Sequence, residues 1–268
     1  LLSYRLINRI ISNVRVNVNM NIVAVKKEQH QKLKVANQRD LSHVANQHIA
    51  PVNVREFAQA STSYPIVLVK DPDSERFRTV VMLGLEAGEN LYHSDKKWQA
   101  IYIPHSLSVV PFSLGLDPDK EKTLTACIDL DSPFVGEDKD QALFDDEGND
   151  TDFFKGIQEQ LGRLYDNEVA NENFIKILKE HDLLQELELN VAFNNGEKKK
   201  LVGLYGINEN KLHGLSDEKA LEFYKQGLFM PIHAMLASAG QVNRLAQLRN
   251  ASDHSVKVSG IQYNVVKA

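Results

Sequence analysis

The residues best suited to chemistry are His93 and Asp95, in His93-Ser94-Asp95 just beyond an apolar run. A His-x-Asp pair joined by one distant histidine is the ligand set that leaves three open positions on ferrous iron. His181, His213 or His233 would supply the third ligand, and Arg244 would pair with an acidic cosubstrate. Against that reading, the motif is only two residues and falls in a polar turn with Lys96-Lys97, where solvated side chains are the ordinary outcome. Other chemistries find less support. The chain has no Gly-x-Ser-x-Gly, Ser106 and Ser132 stand beside prolines, and Gly84 and Gly88 fit neither a dinucleotide nor a P-loop spacing. His30, His43 and His48 stand 13 and then 5 residues apart, which matches no standard ligand pattern. Asp129 to Asp152 holds ten acidic residues against Lys139, but Asp145-Asp146-Glu147-Gly148-Asn149-Asp150 lacks the ligand alternation of a calcium loop and reads as an acidic turn. No cofactor and no metal are therefore expected. The remaining candidates are for binding: Trp98 and Tyr102 on one strand face, able to stack a sugar or peptide, and Asn90 in the preceding turn, with core packing as the alternative for the aromatics.

The chain around these residues is of ordinary globular composition, 268 residues long with a net charge of -5, which favours neither nucleic acid nor a membrane surface. The single cysteine, Cys127, cannot close an internal disulfide and sits in an apolar run as a buried thiol. No stretch reaches the ~18 apolar residues of a membrane span, since Leu228 to Ala239 is interrupted by Pro231 and His233. Residues 1–19 carry Arg5, Arg9 and Arg15 without an acid or a continuous hydrophobic stretch. They are expected to be a disordered upstream extension or an alternative start before Met20. Without a signal peptide pattern, the sequence points to the cytoplasm.

Periodicity predicts an α+β fold, with a mainly antiparallel sheet in the N-terminal half and helices plus a β-hairpin in the C-terminal half. Ile66 to Val69 and Phe77 to Leu85 flank the turn Asp71-Pro72-Asp73-Ser74, Trp98 to Ile103 alternates as a third strand, and Leu124 to Leu130 adds another. Thr151 should cap a helix bearing Phe153, Ile157, Leu161 and Leu164 on one face, followed by a second helix with Phe174, Ile177 and Leu178. Asn194-Asn195-Gly196-Glu197 between strand-like runs is the strongest hairpin signal. Ser216 and Gly227 bracket a third helix, and a last helix enters through Pro231. One domain is expected over residues 20–250, with a sub-boundary near 146–152 and a loose tail at 251–268.

The order of several motifs resembles the SapC family of bacterial proteins. They are Tyr64-Pro65-Ile66-Val67, Gly84-Leu85, Asn90-Leu91, Trp98 with Tyr102-Ile103-Pro104, Pro111-Phe112, Cys127-Ile128-Asp129 with Ser132-Pro133, Leu143-Phe144-Asp145 with Gly148, and Gly203-Leu204 through Gly227-Leu228. The resemblance runs from about Val52 to Leu245. It implies a surface-layer-related role. The family's neighbourhood of halogenase-like, cupin-type oxygenase-like and outer-membrane receptor genes implies an accessory part in surface or uptake systems, with protein partners and possible surface association. It brings no catalytic residues, and His93 stands where the family usually has another residue. The expectation is a non-catalytic, protein-binding component; the alternative is an Fe(II)-dependent oxygenase-like enzyme using His93 and Asp95.

Overall fold

A computed structural model describes residues 21–37, 40–71, 74–94, 97–120 and 123–266. The fold is α+β with antiparallel strand pairing. The chain divides into two compact units, each built from two separated segments: up to Asp40 with Ser108–Asp166, and Leu41–Leu107 with Asn167 onward. Residues 1–19, read above as an extension, lie outside the described residues.

The first unit holds a three-stranded sheet in the order Ile22–Ala24, Leu124–Asp129, Phe112–Leu116, and a second small sheet in which Lys34–Val35 pairs with both Val135–Gly136 and Gln141–Ala142. Phe112, Ala126 and Ile128 alternate toward a core shared with Val35, Leu143, Phe154, Ile157 and Leu161. Cys127 points to the other face but is still buried, and a Cβ on Gly115 would come within 2.4 Å of its Sγ. Burial pushes the Cys127 thiol up, which suits a structural and unreactive side chain. The acidic run closes as the turn expected: the Asp145 carboxylate accepts from the Asn149 backbone N–H (2.7 Å) and side-chain amide (3.1 Å), and Gly148 takes φ +80°. Those bonds from Asn149 hold the Asp145 carboxyl below its usual range.

The second unit is organised on a six-stranded sheet in the order Val258–Val265, Leu184–Phe193, Lys198–Ile207, Ile66–Lys70, Phe77–Met82, Ile49–Pro51. Both hairpins read from the sequence are present. Gly196 takes φ +89° in the tight turn between the two ten-residue strands, with Phe193 donating to Glu197 O at 2.9 Å. Helices Phe229–Ser238 and Val242–Ala251 pack on this sheet. The buried Ser238 hydroxyl joins the two layers by accepting from Ile66 N (2.9 Å) and donating to Met235 O (2.6 Å). Ser216 caps Asp217–Lys225 by accepting from Lys219 N, and Gly227 follows in the left-handed region at φ +68°.

Four expectations need correction. The run Trp98 to Ile103 is not a strand: only Lys97–Trp98 is extended, in a two-residue ladder with His93–Ser94, and the remainder is irregular. The two helices read over 153–181 are one helix, Asp152–Glu180, capped as predicted by Thr151 Oγ1, which accepts from Phe154 N at 3.2 Å. Its polar middle persists because the chain uses it: Asn167 and Asn171 are buried, and Asn171 Oδ1 accepts from Val54 N at 2.7 Å. The helix entered through Pro231 breaks at a 3-10 turn, Ala239–Gln241, into two helices. The tail taken as loose contains the strand Val258–Val265, in register with Leu184–Phe193 through Ile261↔Val191 and Tyr263↔Leu189. Its alternation of Ile261, Tyr263 and Val265 with Gln262 and Asn264 fits a sheet covered on one face.

Candidate functional site

The residues singled out for binding lie in one network of the second unit, and their polar groups are turned inward. The local chemistry begins at Asn53-Val54-Arg55-Glu56, a capping box around the 3-10 turn Val54–Glu56. Asn53 Oδ1 accepts from Arg55 N at 3.0 Å, while Glu56 Oε1 accepts from the Asn53 backbone N–H (3.2 Å) and side-chain amide. Glu56 is only 3% exposed, so its other oxygen must also be satisfied. Oε2 accepts from the Tyr102 hydroxyl and from His105 N at 2.8 Å, with the His105 ring nitrogen 3.6 Å away. Burial, then the Glu56 carboxylate beside it, pushes the Tyr102 phenol far up, so it remains a neutral donor.

An aromatic cluster continues the network. The Trp98 indole N–H donates to the Tyr64 hydroxyl (2.7 Å) and approaches Tyr102 O (3.3 Å); the Tyr64 hydroxyl donates to Tyr102 O. Tyr92 donates to Ser63 O at 2.5 Å and its ring lies 4.7 Å from Tyr64 and 6.1 Å from Trp98, centroid to centroid. Tyr64 and Tyr92 are fully buried, and burial raises both phenols. The third residue, Asn90, is buried as well: Nδ2 donates to Val44 O (2.8 Å) and Oδ1 accepts from Tyr92 N (3.0 Å). Trp98 and Tyr102 thus share a cluster but not a strand face. Their stacking surfaces are spent on packing, and the segment they anchor, Gln99 to Pro104, presents Ile101 at 99% exposure and Ile103 at 38%.

The iron reading gains no geometry. Asp95 lies outside the described residues, and among the described residues no group of three or more His, Cys, Asp and Glu side chains is placed to hold a metal ion. His181 packs edge-on against Phe223 (5.1 Å), and His233 stacks on Phe229 (5.8 Å). Burial lowers the pKa of His30 and of His48, and His30 Nδ1 accepts from Lys26 N at 2.9 Å, a structural role.

Sequence reasoning missed two polar centres. Glu56 had a legible signal in the Asn-x-x-Glu spacing. The other had none: Arg249, 6% exposed, forms an ion pair with Glu89, reaches Glu86 at 3.4 Å and lies over the Phe193 ring. Glu89 also accepts from Leu85 N at 2.7 Å, and Lys199 holds Glu86 at 2.8 Å, keeping the Glu86 carboxyl below its usual range. Arg249 lies about 160 residues from Glu86 and Glu89, beyond the reach of any local pattern.

The model of the SapC family matches residues 25–245, most of the chain. The chain belongs to the SapC family. The match reaches further toward the N-terminus than the resemblance at Val52 suggested, so it includes strands of both units. No curated protein and no solved structure matches the chain. Several of the motif residues of this SapC family member hold local structure: Tyr64 and Tyr102 in the hydrogen-bonded cluster, and Gly84 where an added Cβ would collide with Glu89 O. No helix among the described residues is long and apolar enough to cross a membrane.

Proposed function

We propose that this SapC family protein is a non-catalytic accessory component that binds another protein of a surface-layer or outer-membrane uptake system. One observation carries the reading: the segment Gln99 to Pro104 is anchored by half-buried hydrogen bonds of Trp98 and Tyr102, on either side of Ile101, which it holds fully outward. A large apolar side chain kept in water by a rigid frame loses little conformational entropy on docking, which is the property of an interface anchor. The frame itself also favours this over small-molecule chemistry, because Glu56, Tyr102, Trp98 and Asn90 already use their polar groups on each other and on the backbone. The setting in a surface or uptake system rests on the family alone.

The test is a photoreactive residue placed at Ile101 in a bacterium that expresses the protein natively. The expected result is one adduct with a surface-layer or outer-membrane uptake protein, absent when the probe sits at Val202, which is 67% exposed on a strand. An unadducted protein at both positions overturns the proposal. So does stoichiometric ferrous iron binding by the purified protein that is lost in His93→Ala.

A further inference from the structure

Among the described residues the six-stranded sheet ends on one side at Ile49–Pro51 and on the other at Val258–Val265. The two edges are unequal. The first is three residues long and finishes in a proline, two of the devices that stop edge strands from pairing with other chains. The second is eight residues long and reads Val-Ser-Gly-Ile-Gln-Tyr-Asn-Val, with no proline and no charge. Its inner side is bonded along Leu184–Phe193, in regular register from Gly260 to Val265, with the one irregularity at the Ala192/Phe193 end. Ser259, Gly260, Gln262 and Val265 are exposed. Val258 N and O are taken by the Asn250 side chain (2.7 and 2.9 Å), and the rest of the strand is a neutral, preordered edge, a template for strand addition.

We propose that Val258–Val265 is an interaction surface for a second copy of this chain, pairing antiparallel with its own copy across a two-fold axis. The sequence of the strand selects that occupant. An isologous contact requires each residue to tolerate its symmetry-related neighbour. With the axis at Gln262, Gln262 meets Gln262 of the copy, Ile261 meets Tyr263, and Gly260 meets Asn264. An amide both donates and accepts, so a Gln pair is self-complementary. The axis also generates two Ile–Tyr pairs, and β-branched residues facing aromatic rings are among the favourable cross-strand combinations. These fall on the covered face, where Tyr263 already reaches Met82 Sδ at 3.4 Å and Ile261 packs on the core. The polar face carries Gln262 and Asn264, bonded to each other at 2.8 Å. Within Val258–Val265 self-pairing brings no like charges together, and it makes one continuous sheet through both copies. The inference stands apart from the partner reading at Ile101, which involves a different segment.

The test uses the full chain and sedimentation velocity over a wide concentration range. The wild type is expected to dimerise. Gln262→Lys and Gln262→Glu, each placing like charges opposite one another at an exposed position, are expected to weaken the dimer at least about tenfold. An equimolar mixture of the two variants should restore it. Matching far-ultraviolet circular dichroism of both variants shows that the strand is retained, and a Ser259→Lys/Val265→Lys double variant with its Ser259→Glu/Val265→Glu counterpart, which face each other across the same axis, repeats the test if Gln262 variants do not fold. A monomeric wild type overturns the proposal and leaves the edge to a different protein. A dimer that persists in both variants, or one that the mixture fails to restore, overturns it equally.

Discussion

Replacing Tyr102 with phenylalanine isolates one bond of the network around Glu56. The ring stays in place, and the Tyr64 hydroxyl keeps its acceptor, because that acceptor is the Tyr102 backbone oxygen. What disappears is a hydroxyl donating to a carboxylate that is 3% exposed. A hydrogen bond to a charged group contributes about 1.5–3 kcal/mol net. The same carboxylate oxygen retains His105 N at 2.8 Å and is not left bare, so the lower part of that range applies, about 1.5–2 kcal/mol. Glu56→Gln should cost more, about 3 kcal/mol, since an amide nitrogen must then face either the two donors of Asn53 or the donors of Tyr102 and His105. Because both changes strike one bond, they should not add, and a double-mutant cycle should show coupling of about 1 kcal/mol. The assay is urea unfolding followed by the fluorescence of Trp98, the chain's one tryptophan, which stands within the network. A cost for Tyr102→Phe below about 0.5 kcal/mol, or two single costs that simply sum, would refute the idea that Glu56 holds this segment through Tyr102.

Arg249→Ala should destabilise the protein by about 3–5 kcal/mol, since Glu89 would remain buried without its guanidinium partner; a loss under about 1 kcal/mol in the same urea assay would show that Leu85 N and the His254 ring, 3.5 Å away, suffice for that carboxylate. Tyr64, Tyr92 and Tyr263 are held neutral by burial, each with its phenol raised. The unfolded chain releases those protons near pH 10 while the folded chain keeps them, so the stability they contribute is complete below about pH 10 and is lost as pH rises further. With three groups the loss should approach about 4 kcal/mol per pH unit. Ultraviolet titration checks this: if all eight tyrosines ionise together near pH 10 with circular dichroism unchanged, the burial argument is wrong.

What could be read from the sequence was what local chemistry decides. Asn195-Gly196 specified its hairpin because only a positive-φ turn joins those strands, and Thr151, Ser216 and Gly227 marked helix ends through side-chain and backbone preferences that act within a turn. The misreadings share a cause, which is polarity or periodicity interpreted without knowledge of the partner. The stretch between Leu164 and Phe174 reads from the sequence as the gap between two helices; within it Asn171 is a distant acceptor for Val54 N. Val258–Val265 looked like a polar tail, because a strand covered on one face places a polar residue at every second position and its partner lies some seventy residues earlier. The alternation in Trp98 to Ile103 mimicked a strand, yet it arises from Trp98 and Tyr102 reaching inward for Tyr64 and Glu56 while Ile101 turns out. Trp98 and Tyr102 stand out as aromatic candidates, but their hydrogen-bonded network was not legible, since partners 34 to 46 residues away leave no local trace.

The interleaving of the two units sets a timetable for synthesis. Ile22–Ala24 pairs with Leu124–Asp129, so the first of the described strands emerges from the ribosome about 100 residues before its partner, a delay of about 5–20 s at ordinary elongation rates. During that interval Leu41 to Leu107 also emerges, and its hairpin Ile66–Lys70/Phe77–Met82 can form at once, but the strand that flanks it, Lys198–Ile207, comes later still. Neither unit can finish as the chain grows from one end. Val23, Val25 and the apolar side of Ile66–Lys70 must wait in water together, and the nascent chain is most exposed to aggregation before residue 124 has been added.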